Sequence, residues 1–112
     1  MTRDVVHYQD LIKKILTEDA KVDTSQETIE TLLVFDEERE SYQLMYVSWN
    51  RHMRTHGALL HLRLRNGKIW IEYDGAEAGV AQALLDAGVP KEDIVLAFHA
   101  EWKRKLMDFA VA

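Results

Sequence analysis

Four histidines offer the first candidate chemistry in this chain. His52, His56 and His61 stand close together, and His99 follows further on. Neutral imidazole is a common metal ligand, and Asp36, Glu72 and Asp74 could add carboxylates. The spacing matches no known ligand motif. His52 and His56 would share a face only on a helix, and the stretch from Arg51 to Gly57 has turn composition. Arg51 and Arg54 would repel a divalent cation. The bland reading is polar loop histidines plus one cross-strand His61–Glu72 pair, and we expect no metal or other cofactor. A small His-dependent metalloenzyme is the sharper alternative. A hydrolase needs a nucleophile and an oriented base. The serines are Ser25, Ser41 and Ser48, and none sits in a Gly-x-Ser-x-Gly elbow. Asp74-Gly75 opens toward a helix, as an anion site would, but Gly75 and Gly79 lack the Lys-Ser/Thr ending of a phosphate loop. With no cysteine, thiol chemistry and Cys-based metal sites are excluded. We therefore expect no enzyme.

Binding chemistry is better represented. Arg51, Arg54, Arg63, Arg65 and Lys68 form a basic row, and Trp70 sits among them. Stacking aromatics within a basic groove suit single-stranded nucleic acid, which keeps direct nucleic-acid contact open. The competing reading is an Arg63–Trp70 cross-strand contact that finishes a sheet surface. A tryptophan ringed by arginine also has the composition of a protein-interface hot spot. The expected partner-binding residues are Trp70, Arg63, His61, Glu72, Arg65, Trp49 and His99.

These residues need elements to hold them. From Asp4 to Asp19, Tyr8, Leu11, Ile12, Ile15 and Leu16 make one stripe of a helical period, with Thr2 or Asp4 as a cap. Thr28–Phe35 and Tyr42–Trp49 read as strands joined by a polar connection. Leu59–Arg65 and Lys68–Tyr73 follow, joined by Asn66-Gly67, the dipeptide of a type I′ hairpin turn. A two-residue turn sets Arg63 opposite Trp70, Leu62 opposite Ile71, His61 opposite Glu72 and Leu60 opposite Tyr73. Leu60, Leu62, Leu64, Ile69, Ile71 and Tyr73 then face the core, and His61, Arg63, Arg65, Lys68, Trp70 and Glu72 face outward. Trp70 is expected between Arg63 and either Trp49 or Met45. That outer face would be buried against a second copy or a partner. Ala78–Ala87 reads as a helix stopped by Gly88 and Pro90. Ile94–Phe98 is a short apolar run, and Trp102, Leu106 and Phe109 suit a last short helix.

The expected fold is α+β: an antiparallel meander of four to five strands, with an N-terminal helix and two C-terminal helices packed mainly on one face. A chain of 112 residues suits one domain. Its net charge of −5 argues against a broad grip on DNA phosphates. No apolar run approaches the roughly 20 residues of a membrane helix, and the first ten residues lack a secretory pattern. We expect a cytoplasmic protein with no membrane association.

Much of the chain resembles the XisI family, the controlling factors named for excision of the fdxN element. The resemblance is carried by His56-Gly57, His61, the run Asn66-Gly67-Lys68-Ile69-Trp70-Ile71, Asp74-Gly75, Glu77, Gly79, Gly88-Val89-Pro90-Lys91, Asp93-Ile94-Val95-Leu96 and Phe98-His99. His7-Tyr8, Phe35-Asp36, Tyr42, Leu44, Trp49 and the ending Asp108–Ala112 extend it to a single XisI-like domain over 1–112. The chain departs from the family pattern at Glu72-Tyr73, at Ala76-Glu77 and across Ala100–Met107. The resemblance implies a non-catalytic accessory role in programmed DNA excision, a site-specific rearrangement. It also implies an XisH-like, nuclease-like protein partner, alongside a separate recombinase. It supplies no catalytic residues. A homo-oligomer is a further expectation.

Overall fold

Helix α1 spans Thr2–Asp19, and its apolar stripe finds a sheet to cover. The computed structural model describes residues 2–21, 29–76 and 79–112, with side chains from residue 6 onward. The expected caps Thr2 and Asp4, as well as Ser25, Thr28, Glu77 and Ala78, lie outside these described residues or side chains. Tyr8, Ile12, Ile15 and Leu16 are buried along one face of α1. Polar ties include Tyr8 to Asp93, just before β5, and Lys13 to Glu37, just after β1.

The strands are β1 (Ile29–Asp36), β2 (Ser41–Asn50), β3 (Met53–Arg65), β4 (Lys68–Asp74) and β5 (Ile94–Leu96). They lie side by side in chain order. β1 to β4 form the antiparallel meander, and β5 joins β4 in parallel after the crossover through α2, Val80–Asp86. Parallel neighbours require such a crossover. The core is one cluster. Tyr42, Leu44, Leu60, Leu62, Leu64, Ile69 and Ile71 meet the α1 stripe, with Val80 and Leu84 from α2.

The stretch from Arg51 to Gly57 is not a bend throughout. Only Arg51 and His52 turn, and β3 already begins at Met53. The polar residues there are strand residues on a projecting hairpin, where water satisfies them without a loop.

Asn66 and Gly67 have φ of 54° and 75°, the left-handed pair that a type I′ turn requires. From that turn the register runs as expected through Arg65–Lys68, Leu64–Ile69, Arg63–Trp70 and Leu62–Ile71. There it breaks. Glu72 is unopposed, so His61 faces Tyr73 and Leu60 faces Asp74. A bulge adds one residue to one strand and flips everything beyond it. Tyr73 therefore lies exposed on the outer face rather than in the core. A second bulge leaves Leu59 unopposed by β2, since Leu44 faces Leu60 and Met45 faces Ala58. The Leu59 carbonyl accepts from the Gly75 amide at 2.8 Å. A Cβ on Gly75 would stand 2.9 Å from the same oxygen, so this approach needs glycine.

Asp74 connects β4 to α2. One carboxylate oxygen accepts from the Ala76 amide at 3.1 Å and the other from the Val80 amide at 2.9 Å. Helix amides without intrahelical partners need such acceptors. Asp74→Ala should cost about 2 kcal/mol of folding stability, in the range for lost charge-assisted bonds. Urea unfolding of the two proteins checks this, and an unchanged midpoint would show the amides satisfied otherwise.

Candidate interaction surface

The sheet has a helix face and an outer face, and the seven predicted partner-binding residues divide unevenly over the outer one. The register places Asp36, Ser41, Arg63, Trp70 and Val95 in one row across the five strands. The next outward row holds Val34, Gln43 and His61, and the next holds Leu32, Met45 and Ala58. Glu30, Val47 and His56 follow, and Trp49 opposite Arg54 ends the face.

The Trp70 end is already closed by the chain itself. Helix α3, Glu101–Arg104, brings Arg104 onto this part of the outer face. Ala110 bridges to Val95 in parallel and donates its amide to Ile94 O at 2.9 Å. Trp70 is only 8% exposed. Its Nε1 donates to Arg65 O at 3.0 Å. The guanidinium groups of Arg65 and Arg104 stand 5.0 and 5.9 Å from the ring centroid. Arg104 also donates to His99 O at 3.3 Å, which ties His99 to this corner. The sequence reading had the right face for Trp70 and the right cross-strand partner in Arg63, but the expected packing against Trp49 or Met45 and the Arg63 ring contact are not formed. Trp49 is several rows away near the hairpin tip, Arg63 turns to Glu72 at 3.8 Å, and Arg65 takes the ring instead. α3 also lies off the core face, unlike α1 and α2. Nothing in a lone turn of Trp102 and Leu106 announces that it folds over the sheet's back.

The basic row is largely engaged. Arg63 pairs with Glu72, Arg65 lies on Trp70, and Lys68 Nζ donates to Ala112 O. Arg51 and Arg54 stay exposed at the hairpin tip. The histidines are dispersed. His52 is in the tip turn, His56 and His61 face outward in different rows, and His99 is on the C-terminal segment. Among the described residues, no group of three or more His, Asp or Glu is placed to hold a metal ion. No described helix is long and apolar enough to cross a membrane.

His61 has a measurable consequence. Its Nε2 is 2.9 Å from Ser41 Oγ. Burial pushes its pKa below the ordinary value, Glu72 opposes that shift, and Arg63 adds to it. The folded chain thus binds a proton on His61 less readily than the unfolded chain. Its contribution to stability is present above the unfolded pKa of 6.5 and is lost as pH falls through the lower folded value. Urea unfolding across that window should show stability falling with acidification, less steeply in His61→Gln than in the wild type. Equal slopes would exclude His61 as a source.

What remains uncovered is apolar. Leu32, Val34 and Trp49 are exposed on the outer face of β1 and β2, with Met45 and Val47 half-buried between them. A second exposed group lies on the C-terminal segment: Phe98, Trp102 at 69% and Leu106 at 79%. Clustered apolar exposure marks interaction sites. The first group carried a sequence signal in Trp49 and Met45; the second was noted only as helical spacing.

The comparisons with known proteins agree with this architecture. The family model described as XisI protein matches residues 2–111. A crystal structure of a XisI-like protein from Anabaena variabilis is 40% identical with a TM-score of 0.90, covering 96% of this chain and 99% of that one. A structure of fdxN element excision controlling factor XisI from the same organism is 34% identical with a TM-score of 0.83, covering 97% and 99%. No curated protein matches the chain.

Proposed function

Since the chain belongs to the XisI family, we propose that it is a non-catalytic controlling factor for excision of a DNA element, acting by binding an XisH-like, nuclease-like protein. The family membership supports the excision role, because a relative 34% identical over nearly its whole length is named an excision controlling factor. The observation that carries the binding role is the exposed C-terminal group. Trp102 and Leu106 stand one helical turn apart, both open to water, beside Lys103 and Lys105. An aromatic and aliphatic anchor within a charged rim is how protein interfaces are built. This site adjoins the corner where Arg65, Trp70, Arg104 and His99 meet, so the buried tryptophan acts as its support.

The test is co-expression with an XisH-like protein, followed by affinity purification of that protein. The two should co-elute, and Trp102→Ala with Leu106→Ala should weaken the complex by on the order of tenfold or more. Failure of the unmodified proteins to associate would remove the proposal.

A further inference from the structure

The outer face of β1, β2 and the projecting half of β3 is a second uncovered surface, and its residues are arranged as a surface complementary to itself. β2 runs down the middle with Met45, Val47 and Trp49 facing outward. On one flank, β1 presents Glu30, Leu32, Val34 and Asp36. On the other, β3 presents Arg54, His56, Ala58, His61 and Arg63. One flank carries Glu30 and Asp36 and the other Arg54, His56 and Arg63. Within the chain Asp36 also holds Arg39 at 3.2 Å and Arg63 holds Glu72 at 3.8 Å, both in water-exposed pairs that a second copy can share. The small residue of β3, Ala58, occupies the same row as Leu32.

We infer that this face pairs with the same face of a second copy of the chain, about a two-fold axis running along β2. Rotation about that axis keeps every row at its height and exchanges the flanks. β1 of one copy then lies over β3 of the other. Glu30 comes over His56 beside Arg54, Leu32 over Ala58, Val34 over His61, and Asp36 over Arg63. Met45 meets Met45 and Val47 meets Val47 on the axis. Aligned sheets pack about 10 Å apart with their inner side chains interleaved. Leu32 over Ala58 sets a large residue on a small one in a middle row, and the carboxylates of Glu30 and Asp36 come over the flank that holds Arg54 and Arg63. An isologous contact requires self-complementarity of this kind. A partner of uniform charge would meet like charge on one flank. This contact is separate from the C-terminal site, so it does not depend on the proposed partner.

The experiment uses the whole chain. Sedimentation equilibrium should show a dimer for the wild type. Met45→Asp and Met45→Lys each place like charges on the axis, and each should weaken the dimer by on the order of a hundredfold. Mixing the two variants should restore a dimer containing one of each. Circular dichroism reports whether each variant folds. The chain has no cysteine, so Met45→Cys supplies a second test that introduces no charge. A short bismaleimide should link Met45→Cys into covalent dimers in good yield. It should not link Ser48→Cys, which lies on the opposite side of β2. A wild-type monomer overturns the inference. So does a dimer that survives both charge variants, or a Met45→Cys chain that cross-links no better than Ser48→Cys.

Discussion

Trp70→Ala should lower folding stability by about 3–5 kcal/mol, the range for removing a buried tryptophan. Three losses coincide. The ring is almost fully covered and opposes Arg63 in the sheet. Its indole N–H holds Arg65 O, which would be left without that donor. Two guanidinium groups lose the ring they face, contacts worth about 0.5–1 kcal/mol each at such water-exposed positions. The loss should reach the C-terminal segment too, since Arg104 links Trp70 to His99. Denaturant unfolding followed by circular dichroism is the measurement. A variant of near-wild-type stability that fails only in association would place Trp70 in an interface after all.

Leu62→Ala should be about as damaging, at about 2–5 kcal/mol. Leu62 is fully buried between Tyr42 on one neighbouring strand and Ile71 on the other. The rigid sheet cannot collapse onto the cavity, which places the cost toward the upper part of that range. Leu32→Ala removes the same atoms from a side chain 40% exposed on an edge strand. In dilute protein, where self-association contributes nothing, it should cost about 0.5 kcal/mol or less. Side-by-side urea titrations decide. Similar losses for both would mean that β1 is covered within one chain.

Particular residues show what the sequence made legible. Asn66-Gly67 and the alternation on either side set the hairpin, its register and its core row, because those signals are local. The Tyr8 to Leu16 stripe pointed to α1, and consecutive strand runs with short turns pointed to the antiparallel meander. The bulges at Leu59 and Glu72 were not legible. Nothing in Leu-Leu-His-Leu-Arg or Ile-Glu-Tyr-Asp distinguishes a bulged strand from a regular one, and the bulge turned Tyr73 outward. The covering of Trp70 was equally hidden. It depends on Arg104 arriving from far along the chain, which no periodicity records. For the candidate surface, the sequence identified the outer face, whereas its division into a closed half and an open half is tertiary. Trp102 and Leu106 were visible as a helical pair, but their exposure was not.

The position of β1 has one more consequence. Among the described residues it pairs only with β2, so its other edge has no strand partner there. Between Glu30 and Asp36 it reads Thr-Leu-Leu-Val-Phe, without proline or charge. A segment of that composition on an open edge can template further strands and grow into cross-β fibrils. Glu30 and Asp36 stand at its two ends as gatekeepers, since stacking copies in register would stack like charges. Converting both to their amides should shorten the lag before thioflavin-positive aggregation, with little change in folding stability. The two carboxylates thus keep the strand committed to its own sheet.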